Sequence, residues 1–325
     1  MKTKTGMKGL VAGAFAASML WAAPAAASYQ IAEGLTLSAK AFSDFTYAEE
    51  DATGGFHLKR TYVTLKGTRE NLKFRVTLDQ KAENGKVFVK YAYVDVAGPA
   101  ASTVRLGQLN TPYVNWDEEN FWGYRFVQDS FTQKAGLQTS ADLGAGIMGQ
   151  VRDGMVQYHI SVLNGEGYQN PADGNGLALA GRVHVEVEDI KGGLFFHEEK
   201  KRNGTSGYNP SRWGIFAFIE QEVFRIGATY VKADDGTAGV WDSGDAINVQ
   251  GHVKVPVKTR EYWVFARYDA LDMDALTPTS EFLVLGVSGT VGKSLTIAPN
   301  IKFEDDGVTP AINNTTIGVH AQVKL

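Results

Sequence analysis

The chain has 325 residues, 44% of them hydrophobic and 21% charged, with 32 basic against 36 acidic side chains and no cysteine. The acidic balance argues against a nucleic-acid partner, since phosphates attract basic surfaces. Without cysteine there is no disulfide, thiolate nucleophile or cysteine zinc site, and beyond the first 27 residues no apolar run is long enough for a transmembrane helix.

Lys2, Lys4 and Lys8 precede the apolar run "GLVAGAFAASMLWAA", and small residues follow at Ala25 and Ala27. That order is expected of a secretory signal over residues 1–27, cleaved after Ala27 and exported through the general secretory route. A membrane anchor is the competing reading, but the run is short and the A-x-A ending suits a peptidase. Cleavage removes three lysines and no acid, leaving 29 basic against 36 acidic residues, a net charge of −7 over 28–325.

Helical periodicity is nearly absent from 28–325. Period-two alternation over about ten residues recurs instead, the mark of a strand with two unlike faces. It predicts strands near 35–47, 56–67, 71–80, 86–97, 102–109, 138–151, 155–164 and 177–188, then 193–200, 212–220, 223–232, 246–257, 261–269, 281–290, 295–303 and 315–324. In the last, Ile317, Val319, Ala321, Val323 and Leu325 share one face while Thr316, Gly318, His320, Gln322 and Lys324 share the other.

The connections alternate in length. "TREN", "GPAA", "RDG", "DIKGG", "QE", "KTR" and "VGKS" are tight; "AEEDATGG", residues 110–137, "GEGYQNPADGNG", "KRNGTSGYNPS", "ADDGTAGVWDSGD", "ALDMDALTPTS" and "EDDGVTPAINN" are long, and "KAENG" is the short member of its class. A soluble β-sandwich also alternates along its strands. Uniformly long strands, loops of alternating length and a terminal strand ending on a hydrophobe favour a different fold class. The expectation is an all-β chain: a transmembrane antiparallel β-barrel of about 16 strands, with short periplasmic turns and long external loops. Tyr47, Tyr91, Tyr93, Trp213, Tyr230, Tyr262 and Tyr268 are expected in interfacial girdles. Pro299, which removes a ladder bond, predicts a bulge or a strand end.

With apolar residues toward lipid, the other face lines a bore wide enough for water. That face presents Arg60, Lys66, Lys73, Arg75, Lys90, Arg105, Arg182, Arg225, Lys254, Arg267 and Lys302 against fewer acids, Asp79, Glu186, Glu188 and Glu220. The acids gather in the loops instead, at Glu49, Glu50, Asp51, Asp234, Asp235, Asp242, Asp245, Asp272, Asp274, Asp305 and Asp306. A basic bore below an acidic rim predicts anion preference.

The connection 110–137 is long for a compact fold. It carries Tyr113, Trp116, Phe121, Trp122, Tyr124 and Phe126, the acids Asp117, Glu118 and Glu119, and Arg125. Such aromatics suit a loop folded into the barrel as a constriction, its acids facing Arg60, Arg75 and Arg105. An external lid or subunit contact is the alternative.

"LKRTYVTLKG" (58–67), "FRVTLDQ", "VKYAYVDV", "RLGQLNTPYV" (105–114) with Glu118 and Glu119 beyond it, and "VLNGEG" (162–167) resemble, in that order, segments of the phosphate-selective porin O and P family. The resemblance covers about residues 55–170. It implies a trimeric sixteen-strand barrel with an inward third loop and an anion path lined by arginine and lysine, to which Arg60, Arg75 and Arg105 fit. "VQDS", with Asp129, departs from the basic residue expected before the serine, and no lysine precedes Lys134 in the loop, so phosphate itself is not implied.

No HExxH, P-loop or GxSxG motif occurs. His159 with Ser161 is the nearest approach to a nucleophile–base pair, and a polar bore histidine explains it more simply. Asp234–Asp235 and Asp305–Asp306 suit weak calcium or plain solvated loops. The sequence therefore predicts a non-enzymatic porin of a Gram-negative outer membrane with no metal and no cofactor. Its expected partners are membrane lipid, lipopolysaccharide, small anionic or polar solutes and two further copies of itself. An adhesion barrel with a blocked bore is the alternative.

Overall fold

The alternating runs become strands because each separates an apolar from a polar face. The computed structural model describes residues 28–50, 52–81, 85–170, 176–201, 209–234, 243–272, 279–305, 307 and 314–325. The expected leader, residues 1–27, and the rim acids Asp51, Asp235, Asp242, Asp274 and Asp306 lie outside the described residues. A short strand that the alternation does not reveal, β1 (Tyr29–Ala32), forms a hairpin with β2 (Leu35–Ala48). There follow β3 (Thr53–Arg69), β4 (Leu72–Lys81), β5 (Val87–Ala97), β6 (Thr103–Asn110), β7 (Ala141–Val151), β8 (Val156–Leu163) and β9 (Gly176–Val187). The second half adds β10 (Ile190–Lys201), β11 (Ser211–Glu220), β12 (Phe224–Asp234), β13 (Gly244–Val257), β14 (Arg260–Asp272), β15 (Ser280–Val291), β16 (Leu295–Asp305) and β17 (Asn314–Lys324).

From β2 onward each strand pairs antiparallel with its successor, and β17 returns to β2 with Lys324 opposite Lys40 and Thr316 opposite Ala48. Sixteen strands thus close into a barrel with no free edge, as all backbone groups must be satisfied inside lipid. The direction of burial excludes a soluble sandwich. On β13, Ile247, Val249 and Val253 are exposed while Asn248, Gln250 and His252 are buried; Ile215 and Ile219 on β11 are likewise exposed beside buried Phe216 and Phe218. Only a hydrocarbon solvent favours that inversion.

Two β-bulges alter which residues face inward. Between β2 and β3, Phe42 pairs with Arg60 but Ser43 pairs with Leu58, leaving Lys59 as an extra residue. Between β4 and β5, Thr77 pairs with Tyr91 but Leu78 pairs with Val89, leaving Lys90 extra. An extra residue shifts the alternation by one, so Lys90 and Tyr91 are both buried, at 2% and 3% exposure. Tyr91 and Tyr93 accordingly belong to the bore, correcting their expected place in the lipid girdle. Tyr47, Trp213, Tyr230 and Tyr268 remain on the outer face, and Tyr230 and Tyr268 donate to Asp245 (2.6 Å) and Glu281 (2.8 Å). Pro299 makes no bulge: Gly286 opposes Asn300 and Gly289 opposes Ile297 in unbroken register, and Pro299 faces Val319 on the other side.

Candidate functional site

The connection from β6 to β7 lies inside the barrel, held by inward side chains from strands around the ring. Its chain forms a turn of helix, α1 (Val114–Asp117), a π-turn over Glu118–Trp122, and a second helical turn, α2 (Phe131–Lys134). Gly123 ends the π-turn in the left-handed region, φ +72°, where a side chain would be strained, and its N–H bonds Glu118 O at 3.1 Å. Around that reversal the aromatics divide, Tyr113, Trp116 and Phe121 reaching one part of the wall and Trp122, Tyr124 and Phe126 another.

Before it, Tyr113 stacks on Phe195 with centroids 3.7 Å apart and donates or accepts a hydrogen bond with Thr229 Oγ1 at 3.0 Å. Trp116 packs on Phe216 at 4.8 Å, and Phe121 stacks on Phe218 at 4.5 Å. After it, Tyr124 stacks on Phe265 at 4.1 Å and bonds Ser288 Oγ at 2.9 Å, and Trp122, the residue just before Gly123, meets the same Phe265 edge-on. Two buried aromatic clusters result. Each such ring pair contributes about 0.5–1.5 kcal/mol beyond its area term.

Basic side chains grip the loop backbone, all of them from that wall except Lys59, which reaches across from β3. Arg182 Nη1 donates to Pro112 O at 2.9 Å and lies over the Trp116 ring; Arg225 Nη1 donates to Phe121 O at 3.2 Å. Lys59 and Lys302 both donate to Val127 O, at 3.0 and 2.9 Å. Arg267 Nη1 donates to Asp129 O at 2.7 Å, and its other nitrogens hold Asp269 at 2.6–3.1 Å. A hydrogen bond from a charged donor contributes about 1.5–3 kcal/mol. Arg182, Arg225, Arg267 and Lys302, expected as bore lining, are thus ligands of the loop carbonyls. Lys59 was not foreseen, because strict alternation points it at lipid; the doubled basic pair in "LKRTY" is the one sequence signal that a bulge occurs there.

The opposite wall, β2 to β6, carries cations other than Lys59 that donate to no loop carbonyl among the described residues, some open to the bore and some buried. Arg75 lies over Tyr91 at 4.2 Å and bonds Thr77 at 3.0 Å. Arg105 lies over Tyr93 at 3.8 Å and is paired with Asp95 at 2.7 Å and with Asn110. Lys66 stands opposite Arg75 in the ladder and Lys73 opposite Asp95. Arg60 is buried against Asp79 at 2.9 Å. Lys90 Nζ sits 5.4–5.5 Å from the rings of Tyr62, Tyr91 and Tyr168. Lys254 lies at the far end of β13, 3.6 Å from Glu261.

The loop acids do not act together, as their adjacency suggests. Asp117 turns away from Arg60, Arg75 and Arg105 and is buried against β13, its Oδ1 3.5 Å from Gln250 Nε2 and its Oδ2 without a hydrogen-bond partner among the described residues. Burial pushes its carboxyl up to about 7, Arg267 nearby opposing and Asp269 reinforcing the rise. Glu118 pairs with Arg125 inside the loop. Arg125 also reaches Asp129 at 3.5 Å. Burial alone would raise Asp129, but Arg125, Arg60, Lys90 and Lys59 hold it down at about 2. Only Glu119 is exposed to the bore, close enough to Lys40 and Lys66 to interact with both.

Ser161 Oγ and His159 Nε2 are 3.1 Å apart, and no acid among the described residues bonds that histidine as an orienting third member.

No family model matches the sequence, and no curated protein matches it. Solved structures do match in fold. The anion-selective porin from Comamonas acidovorans aligns at TM-score 0.67 and 14% identity over 89% of this chain and 98% of its own. In-vitro folded OmpT, an outer membrane protein of Vibrio cholerae, in its trimer form aligns at 0.67 and 12% over 89% and 98%. OmpF of Salmonella typhi, in complex with daunomycin, aligns at 0.68 and 11% over 91% and 99%. The chain is similar to these proteins as a closed sixteen-strand antiparallel outer-membrane barrel.

Proposed function

We propose that this chain is a passive outer-membrane porin of a Gram-negative bacterium, a water-filled channel for small hydrophilic solutes that prefers anions and catalyses nothing. The observation that carries the reading is the division of the bore by an inward loop. Lys40, Lys66, Lys73, Arg75 and Arg105 line the open side, where Glu119 and Asp95 are the facing acids. Excess positive charge in a narrow low-dielectric bore lowers the barrier for anions and raises it for cations. The single exposed acid of the loop adds a transverse component that orients dipolar solutes. The Comamonas porin, anion-selective by description and similar in fold, supports the same reading. The trimer form of OmpT supports assembly as a homotrimer, with lipid and lipopolysaccharide around it.

Purified protein in planar bilayers is expected to show stepwise conductance, with reversal potentials in a KCl gradient that favour chloride. Competition by phosphate, sulfate and dicarboxylates then ranks the solutes. A second reading, a blocked adhesion barrel, draws on the fully buried aromatics that fill one side of the bore. Absence of any conductance would favour it over the channel.

A further inference from the structure

A second external connection also turns inward. Between β8 and β9 the alternation of loop lengths predicts an external loop, yet residues 164–170 bend over the mouth toward β3, β4 and β5. The bend is pinned at its base: Asp142 accepts the N–H groups of Leu143 and Gly165, both at 2.7 Å, and Tyr168 N bonds Ala141 O at 3.0 Å. Gly167, at φ +77°, lies so close to the end of the first loop that a Cβ there would stand 2.9 Å from Thr139 Cγ2. The two inward segments therefore form one packed unit.

The tip of the second segment crosses to the basic wall. Tyr168 donates its hydroxyl to Asp79 Oδ2 at 2.7 Å and accepts from Arg60 Nη1 at 3.3 Å. Lys81 Nζ donates to Gln169 Oε1 at 3.1 Å, and Gln169 Nε2 donates back to the Tyr168 oxygen at 3.0 Å. The Tyr168 ring meets Phe88 edge-on at 6.2 Å and stands 5.5 Å from Lys90 Nζ. Lys90 is 2% exposed although its side chain faces the bore, and Tyr168 itself is half-buried. The phenol thus sits between the water of the channel and a buried group of two cations, Arg60 and Lys90, and one carboxylate, Asp79, which leaves a net positive charge beneath it.

We propose that residues 164–170 are the second jaw of the constriction and that Tyr168 is a selectivity-determining residue that covers the Arg60–Lys90 pair. The inference rests on the channel reading and adds to it a position at which width and charge are set together. A ring lying over a cation weakens the field that a passing solute feels, and its volume narrows the path. Tyr168 therefore limits both conductance and anion preference.

The test compares wild type with Tyr168→Ala and Tyr168→Phe in planar bilayers, after heat-modifiable electrophoretic mobility has confirmed folded barrels. Tyr168→Ala is expected to raise single-channel conductance on the order of two-fold and to move the reversal potential further toward chloride, as a wider bore with an uncovered cation pair requires. Tyr168→Phe, which keeps the ring and loses the bonds to Asp79 and Arg60, is expected to fall between. Conductance and reversal potential unchanged in Tyr168→Ala would overturn the proposal. A second readout does not depend on conduction. The chain has no cysteine, so Lys90→Cys reports its own accessibility to a water-soluble thiol reagent. Slow labelling that becomes fast when Tyr168→Ala is added supports the cover, with or without conductance. Equal rates in both backgrounds contradict it. A wild-type barrel that conducts nothing defeats the channel reading separately.

Discussion

The two sides of the bore use the same residue types for opposite ends. On β9 to β16, phenylalanines at positions 195, 216, 218 and 265 receive the loop aromatics, and Arg182, Arg225, Arg267 and Lys302 hold loop carbonyls. On β2 to β6, tyrosines at 62, 91 and 93 lie beneath Arg75, Lys90 and Arg105; the loop touches this wall through Asn115 on Tyr91 and through Lys59 on Val127 O, but none of these three cations bonds a loop carbonyl among the described residues. A basic residue facing the bore is therefore not by itself part of an ion path. What decides its role is whether a backbone carbonyl of the loop takes its charge. One wall seats the loop and the other is the proposed filter, and substitutions on the two sides are expected to fail differently.

The largest effect is expected on the seat. Arg267→Ala leaves Asp269, a 6%-exposed carboxylate, without its ion-pair partner and with only Asn248 bonded to it; loss of one member of such a buried pair costs about 3–5 kcal/mol. Trp122→Ala, at a fully buried position, costs a similar 3–5 kcal/mol through the cavity it leaves. Both are measured as a lower thermal transition of the heat-modifiable barrel and as new protease cleavage within 110–137. Either variant keeping wild-type stability and an uncleaved loop would break the distinction between the walls.

A smaller effect is expected from Asp117, whose folded carboxyl at about 7 lies above its ordinary 3.8. The fold thus favours the protonated form. The seat is firmest below about pH 3.8 and loosens progressively as pH rises toward 7, where an unpaired buried carboxylate results. Current noise from loop motion should increase over that window in wild type and stay flat in Asp117→Asn. The same slope in both would show that another group is responsible.

The smallest effect is expected at Lys254. Its partners Glu222 and Glu261 are largely exposed, at 91% and 64% for their side chains, and such pairs contribute about 0–1 kcal/mol. Lys254→Ala should shift the thermal transition by no more than that range implies, and loop cleavage should not change. A marked fall in either would extend the seat to the far end of β13.

The barrel itself is legible in the sequence because alternation has a single physical reading when the strands are long and the turns alternate in length. "TTIGVHAQVKL" puts Ile317 outside and His320 inside in the structure as in the sequence. The inward loop is legible from its aromatics, which have no place in bulk water. Most of its contacts are not, because partners such as Phe195, Phe265 and Arg267 are more than sixty residues distant and reached only through closure of the ring. The bulges at Lys59 and Lys90 are hidden for a different reason. At Lys59 the basic pair of "LKRTY" is the sole mark; at Lys90 both faces of "KVFVKYAYVDV" are largely apolar, so nothing in the pattern marks the extra residue, and Tyr91 and Tyr93 are assigned to the wrong solvent. Asp117, Glu118 and Glu119 look alike in sequence, and a helical turn points them to three environments. The inward course of 164–170 is carried by glycines, Gly165 and Gly167, whose left-handed backbone looks like that of any exposed turn.

On the proposed function, the open wall and not the seat sets ion preference. This is tested most directly by the reversal potential of single channels in a KCl gradient, for wild type and for the Arg75→Glu, Arg105→Glu double variant. The expected result is a wild-type potential on the chloride side and a displacement toward potassium in the variant, with the loop still protected from protease. A variant with the wild-type potential would contradict it.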